Sequence, residues 1–357
     1  MTVMFRVDAG TDIGIGHFMR CLNLATALNE QGKKVAFACR TLPPLLHSLL
    51  QSQSIPVHIM ESPKTVESDT KLDHVRWLSC TQTEDADSMV ELLADKPIEW
   101  LVVDHYALDH LWESRLRKNT GKILVIDDLA NRQHDCDVLI DQNFYHDMHS
   151  RYGKRVSPAT KLLLGPEYAL LQPAFSYLRE NLRKRDGQVK NILVFFGGGD
   201  SFNCTELALD AIDNLAVHGF TVTVAIGGQH PSMASIKSRC HEKTYSLEIQ
   251  STEIARLMTQ ADLSIGAGGV STYERCCLGL PAIVIAIAEN QEPIAEAVAS
   301  LGAVDYLGKQ ADITCADIQD ALASMLSSPS TLVEMSENAQ SIVDGKGVQR
   351  TCKEIAA

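Results

Sequence analysis

The chain has 357 residues, 45% of them hydrophobic and 22% charged, a globular composition with length for two domains of about 150 residues each. Its net charge of −13 argues against a nucleic-acid or anionic-membrane partner, since both demand a basic face. A phosphate ligand stays open, because oriented backbone N–H groups bind phosphate without net positive charge.

The ten cysteines form no C-x-x-C pair. Cys21 and Cys39 sit in apolar runs, and Cys276 and Cys277 adjoin in a helical pattern, as buried reduced thiols do. Arg6 and Asp8 stand where a signal peptide would need an apolar core, and no run approaches the ~20 apolar residues of a membrane span. A cytoplasmic protein is expected.

In chain order, Val3–Val7, Val35–Cys39, Trp100–Asp104 and Ile123–Asp127 read as buried strands. The helical spacing of Met19, Leu22, Ala25 and Leu28 predicts a helix over Phe18–Gln31, closed by Gly32. The second half repeats the theme, with strands at Asn191–Phe196, Thr221–Ile226, Leu263–Ile265 and Ala282–Ile287. Helices follow at Cys204–His218, Glu253–Gln260, Thr272–Leu278 and Pro293–Ser300. Alternation in both halves means two parallel sheets flanked by helices. The expected domains are 1–174 and 175–357, the last helix being a candidate to pack back on the first.

In open α/β sheets ligands bind beyond the carboxyl ends of the strands, where several loops carry unusual residues. The first, Asp8 to His17, follows a strand and opens a helix. Gly14 and Gly16 allow a tight turn and close backbone approach. It is an incomplete dinucleotide fingerprint, with Met19 in place of the third glycine, although Arg40 could hold a 2′-phosphate. His17 at the helix start is either an ordinary structural histidine or a base, the helix dipole disfavouring imidazolium there. Arg20, one turn on, positions substrate or pairs with an acid. Asp109 and Asp128 read as N-caps; Asp104, His105 and Asp127 lack the fixed spacing of a metal site, and no metal is expected.

In the second half, Gly197–Gly199 form a phosphate-cradling loop or a flexible turn; no G-K-[ST] follows, so it is not a P-loop. The most specific stretch runs from Ala261 to Glu274. Gly266, Gly268 and Gly269 make a loop before a helix starting near Ser271, whose N–H groups can hold a diphosphate without metal. Glu274 can accept both ribose hydroxyls.

Gly268-x5-Glu274 followed by Gly-Leu-Pro-Ala resembles the nucleotide-binding segment of GT-B glycosyltransferases, above all the enzyme adding N-acetylglucosamine to the peptidoglycan lipid precursor. Arg6-x-Asp8, Ile13-Gly-x-Gly-His17-x-x-Arg20, Asp104-x-Tyr106-x-Leu-Asp109, Asp127-Asp128, Asp141-Gln-Asn143 and Gly165-Pro-Glu-Tyr-Ala-Leu-Leu171 narrow the likeness. Together they resemble the UDP-2,4-diacetamido-2,4,6-trideoxy-β-L-altropyranose hydrolases of pseudaminic acid biosynthesis.

The resemblance implies a GT-B-like α/β fold, two Rossmann-like domains with parallel sheets facing a central cleft. It implies cytoplasmic hydrolysis of a UDP-sugar with anomeric inversion, serving flagellin glycosylation or a surface polysaccharide. His17 falls on the position taken to activate water. Asp8, Gly14, Ile15, Gly16, Arg20 and Tyr106 are expected near the substrate, with Gly198, Gly268, Gly269, Ser271, Glu274, Asn290 and Gln291 near UDP or the sugar. No cofactor is expected; a monomer is, although the residues do not fix oligomeric state. UDP leaves readily, since a phosphate's second pKa is about 6, so one base and stabilisation of the departing diphosphate suffice. A glycosyltransferase, a hydrolysing UDP-sugar 2-epimerase and a nucleotide-sugar sensor are the alternatives.

Overall fold

A computed structural model of the chain describes residues 2–10, 13–61, 72, 74–94, 98–217 and 219–356. The Val- and Ile-rich runs form strands buried on both faces, as parallel strands must be when helices cover both sides of a sheet. The first sheet contains β1 (Thr2–Val7), β2 (Lys34–Cys39), β3 (Val57–Ile59), β4 (Ile98–Asp104), β5 (Thr120–Ile126), β6 (Val138–Asp141) and β7 (Lys161–Leu164), in the order β3-β2-β1-β4-β5-β6-β7. The second contains β8 (Asn191–Phe195), β9 (Thr221–Ile226), β10 (Ser246–Ile249), β11 (Leu263–Ala267), β12 (Ala282–Ala286) and β13 (Asp305–Lys309), in the order β10-β9-β8-β11-β12-β13. Neighbouring strands in both are parallel.

Five of these strands, β3, β6, β7, β10 and β13, lie outside the runs that periodicity singles out. They are short, and β3, β10 and β13 are only half-buried or exposed along their length. The predicted helices shift by a residue or two, as at Gly16–Glu30 and Ser271–Cys277. One is shortened: the helix from Cys204 ends at Asp213, and His218 lies outside the described residues. Gly32 closes the first helix at φ +77°. There the Gly32 N–H donates to Asn29 and the Lys33 N–H to Leu28, the paired bonds of a Schellman end.

The chain divides into two compact units. One comprises Met1–Asn143, Asp147–Leu170 and Gly347–Ala357; the other comprises Phe144–His146 and Leu171–Lys346. The last helix, Gly347–Ala356, thus groups with the first unit, and Val348, Cys352 and Ile355 on one of its faces join a core with Phe5, Phe18 and Leu22. None of the ten cysteines is paired. Among the described residues no helix is long and apolar enough to cross a membrane.

Buried ions tie the first unit's loops to its sheet. Asp85 accepts from Arg6 at 2.8 Å, Arg40 at 2.6 Å and the Trp112 indole at 2.9 Å. The His134 ring bonds Glu113 at 2.7 Å and lies 3.8 Å from Asp127. Burial disfavours its charge, but Glu113 and then Asp127 outweigh this and raise the imidazole to about 9. A histidine with a raised folded-state pKa stabilises fully below its unfolded value near 6.5, and that stability is lost as pH rises through the folded value. Between pH 6.5 and 9 the wild type should therefore lose on the order of 3 kcal/mol relative to His134→Gln. Chemical denaturation across that range checks it, and a constant difference between the two proteins would refute the ion pairing.

Candidate functional site

Both sheets reverse strand order, between β1 and β4 in the first and between β8 and β11 in the second. Loops leaving such neighbours diverge to opposite faces and open a crevice. Val7 pairs with Asp104 in register, so the loop after β1 emerges beside the end of β4. This adjacency brings His17 and Asp104 together.

His17 Nδ1 lies 2.6 Å from Asp104 Oδ1. Arg20 forks onto the same carboxylate, Nε to Oδ2 at 2.6 Å and Nη2 to Oδ1 at 2.7 Å. Burial works against the Asp104 charge, but Arg20 above all, then His17, hold it well below the usual carboxylate range. Against an ionised carboxylate the ring proton belongs on Nδ1, which leaves Nε2 as the basic nitrogen. Arg20 Nη2 also lies 3.1 Å from Nδ1, but the shorter contact to the anion decides the tautomer. Arg20 reaches Asp128 as well, at 2.7 Å. Asp128 in turn accepts from the Tyr106 hydroxyl at 2.6 Å and from Asn143 at 3.0 Å. The Tyr106 ring stands edge-on to His17, with centroids 4.5 Å apart.

These contacts give partners to several of the residues singled out in the sequence. Asp8 is fully buried; it accepts from the Arg40 and Thr41 N–H groups and pairs with Arg6 at 2.8 Å and His105 at 3.2 Å, leaving it no face for a ligand. Arg20 is an internal clamp, and the Tyr106 hydroxyl is committed to Asp128. Arg40, the possible 2′-phosphate ligand, is buried on Asp85. Asp109 does cap its helix, accepting from the Leu111 N–H, whereas Asp128 caps none of the described helices. The residues considered for a metal diverge: Asp104 faces His17 and Arg20, His105 faces Asp8, and Asp127 pairs with Arg132 at 2.7 Å.

Gly14, at φ +78°, and Gly16 have open space where a side chain would stand. Ile15 between them is 47% exposed and starts the helix without a side-chain cap. Thr11 and Asp12 of this loop lie outside the described residues. Asp104, as partner of His17, is what the sequence reading missed; its signals were its place at the end of a predicted strand and in Asp104-x-Tyr106.

In the second unit the loops after β8 and β11 differ. Asp200 accepts from the N–H groups of Cys204 and Thr205 at 3.0 and 2.7 Å. The helix after Gly197–Gly199 is therefore already capped by a carboxylate, which competes with a phosphate at that end; Gly198 itself is exposed. After β11, the helix from Ser271 has no side-chain cap. Gln291 lies over Gly268 and Gly269, where an added Cβ would stand 3.4 and 3.2 Å from its side chain, and its Oε1 accepts from the Ile287 N–H at 3.0 Å. Ser271 bonds back to the Ala267 carbonyl at 3.3 Å, and Asn290 is exposed. Glu274 is half-buried, and burial, opposed by Arg275, pushes its carboxyl up to about 7. The structure thus groups Gly268, Gly269, Ser271 and Gln291 around one loop, with Glu274 one turn along the helix that follows.

Residues 192–351 match the glycosyltransferase family 28 C-terminal domain. A solved structure of Acinetobacter baumannii MurG is similar at TM-score 0.67 and 16% identity, covering 99% of both chains. The fold is GT-B-like. The resemblance carried by the motifs also stands: the UDP-2,4-diacetamido-2,4,6-trideoxy-beta-L-altropyranose hydrolase of Campylobacter jejuni is 26% identical over 85% of this chain and 97% of its own. The spore coat polysaccharide biosynthesis protein SpsG of Bacillus subtilis is 24% identical over 98% of this chain and 96% of its own.

Removing Arg20 from this GT-B-like chain strands two buried carboxylates. Arg20→Ala should destabilise it by about 3–5 kcal/mol, with Arg20→Lys intermediate because an ammonium cannot fork. Denaturant unfolding measures both, and a change below about 1 kcal/mol in the alanine variant would mean that the clamp carries no burden.

Proposed function

We propose that this chain is a metal-independent hydrolase cleaving UDP-2,4-diacetamido-2,4,6-trideoxy-β-L-altropyranose to UDP and the free sugar with inversion, a step of pseudaminic acid biosynthesis. The observation that carries the reading is the 2.6 Å contact between His17 Nδ1 and buried Asp104. It fits a ring whose Nε2 takes a proton from water while the carboxylate stabilises the imidazolium formed. Water oxygen bonds to the anomeric carbon as the bond to the UDP oxygen breaks, and UDP departs with the electron pair. The transition state is oxocarbenium-like, with water on the face opposite UDP.

Glu274 is assigned the ribose hydroxyls, with Gly268, Gly269 and Ser271 near the diphosphate and Asn290 and Gln291 beside them. A carboxyl raised to about 7 by burial with no partner of its own among the described residues supports that role, because donating hydroxyls favour its ionised form. Asp104 and Arg20 act here as positioning residues, and no cofactor enters the reaction.

A second reading has one specific support, the match to the family 28 glycosyltransferase domain. An acceptor hydroxyl would then replace water at His17. Turnover in ¹⁸O-water without acceptor separates the two: label at the anomeric oxygen of released sugar is expected, and saturable UDP binding with no sugar release would favour the transferase.

His17→Ala should abolish turnover and leave the Kd for UDP within about twofold. Asp104→Asn should lower kcat by about 10²–10⁴-fold with little change in KM; an unaltered kcat would remove Asp104 from the mechanism. The ribose role fixes a sign with pH. UDP should bind more tightly as pH rises through about 7, beyond the effect of the phosphate's own ionisation near 6. In Glu274→Gln only the phosphate contribution should remain, and calorimetry of both proteins from pH 5.5 to 8.5 makes the comparison.

A further inference from the structure

Beside His17 lies a cluster of aromatic rings. Trp77 ends a short 3-10 turn, Val75–Trp77. Its ring stacks on Tyr106 with centroids 5.5 Å apart and planes 23° from parallel, and it stands edge-on to His17 at 5.9 Å. His74 packs against both rings, at 4.5 Å from Trp77 and 5.2 Å from Tyr106. Tyr106 is buried, whereas Trp77 is part-exposed, so the indole forms the outer layer of the stack. Its Nε1 is buried with no hydrogen-bond partner among the described residues.

Reach limits what Trp77 can touch. A water activated by His17 lies about 2.6–3.2 Å from Nε2, and the carbon it attacks about 3–3.5 Å further on. The attacked ring therefore sits roughly 6 Å from the imidazole nitrogen. That is the same span that separates the His17 and Trp77 rings, 5.9 Å between centroids. A glycosyl group attacked on the indole's side of the imidazole is thus within reach of Trp77.

Trp77 offers an apolar ring and an unanswered N–H donor. A hydroxyl on the sugar would answer the donor but leave the ring without an apolar partner. A deoxy methyl would cover the ring and leave the donor orphaned, which carries its own penalty. An acetamido group meets both demands, its methyl packing on the ring and its carbonyl oxygen accepting from Nε1. The Tyr106 hydroxyl cannot take that oxygen, being committed to Asp128.

We propose that Trp77 is the residue that selects an acetamido sugar over its hydroxyl counterpart, through methyl packing on its ring and a hydrogen bond from its indole N–H. The assignment rests on the sugar lying at His17, as the hydrolase reading requires.

The test compares UDP-N-acetylglucosamine with UDP-glucose, which differ only in an acetamido group and a hydroxyl, using UDP as reference. Calorimetry on the full chain should show the wild type preferring the acetamido ligand by about tenfold. Trp77→Phe keeps a ring and loses the donor, and should reduce the preference to about two- to threefold. Trp77→Leu should erase it, while UDP alone binds all three proteins alike. No preference in the wild type, or one unchanged in both variants, overturns the proposal. The hydrolase reading fails separately: a Trp77-dependent preference without sugar release from the diacetamido substrate would sink hydrolysis and leave this assignment standing.

Discussion

The adjacency of β1 and β4 governs the first unit's chemistry. The chain runs from β1 through its helix to β2, and later returns past β1 to lay down β4 on the other side. Val7 and Asp104 end up as register partners, so a residue near the start of the chain meets one 87 positions later. The second unit repeats the device with β8 and β11, where Phe195 pairs with Gly266. There the strands approach so closely that a Cβ on Gly266 would stand 2.1 Å from the Phe195 carbonyl. One topological rule therefore makes two crevices, and the side chains at their rims determine what each can do.

Burying Asp104 is favourable only because the anion is surrounded. Removing a carboxylate from water costs several kcal/mol, and the Arg20 fork with the His17 ring offsets that penalty. Arg20 extends the same compensation to Asp128, which also accepts from Tyr106 and Asn143. Asp141 shows the other outcome. Burial, followed by repulsion from Asp128, outweighs Arg151 and pushes its carboxyl up to about 8. The same neighbourhood thus holds Asp104 firmly charged, under the Arg20 fork and the His17 ring, and Asp141 close to neutral, where repulsion from other acids adds to burial and Arg151 does not offset both.

Chain-local signals were legible in the sequence. Continuous Val and Ile runs gave the central strands, Gly32 gave a helix end, and the glycines around residues 14 and 268 marked loops facing the strand ends. Pairings set by strand order were not legible, since alternation of strands and helices does not say which strands are neighbours. Asp104 could therefore be weighed as a metal candidate, but not read as the partner of His17. Asp8 illustrates the same gap. An acid in a glycine-rich loop looks like a ligand group until Arg6 beside it, and the Arg40 backbone N–H and His105 from neighbouring strands' ends, converge on it. The short strands escaped notice because runs of three to five residues carry no readable periodicity, whether fully buried like β6 or of mixed burial like β3, β7, β10 and β13.

The two units solve opposite electrostatic problems. Around His17 each described charge is answered by another, so the imidazole is fixed in orientation and tautomer before any substrate arrives; this is what makes a proton acceptor effective. Around Gly268 and Glu274 the polar groups are left partly unanswered, with an uncapped helix start and a carboxyl held near neutrality by burial. On the proposed reading, the ligand itself completes that second set, its hydroxyls stabilising the carboxylate that burial disfavours. Specific nucleotide recognition then needs no basic surface, which reconciles a diphosphate ligand with a chain of net charge −13. On the same proposed reading the diphosphate is also the leaving group, so that a single oriented imidazole would suffice for the remaining proton transfer.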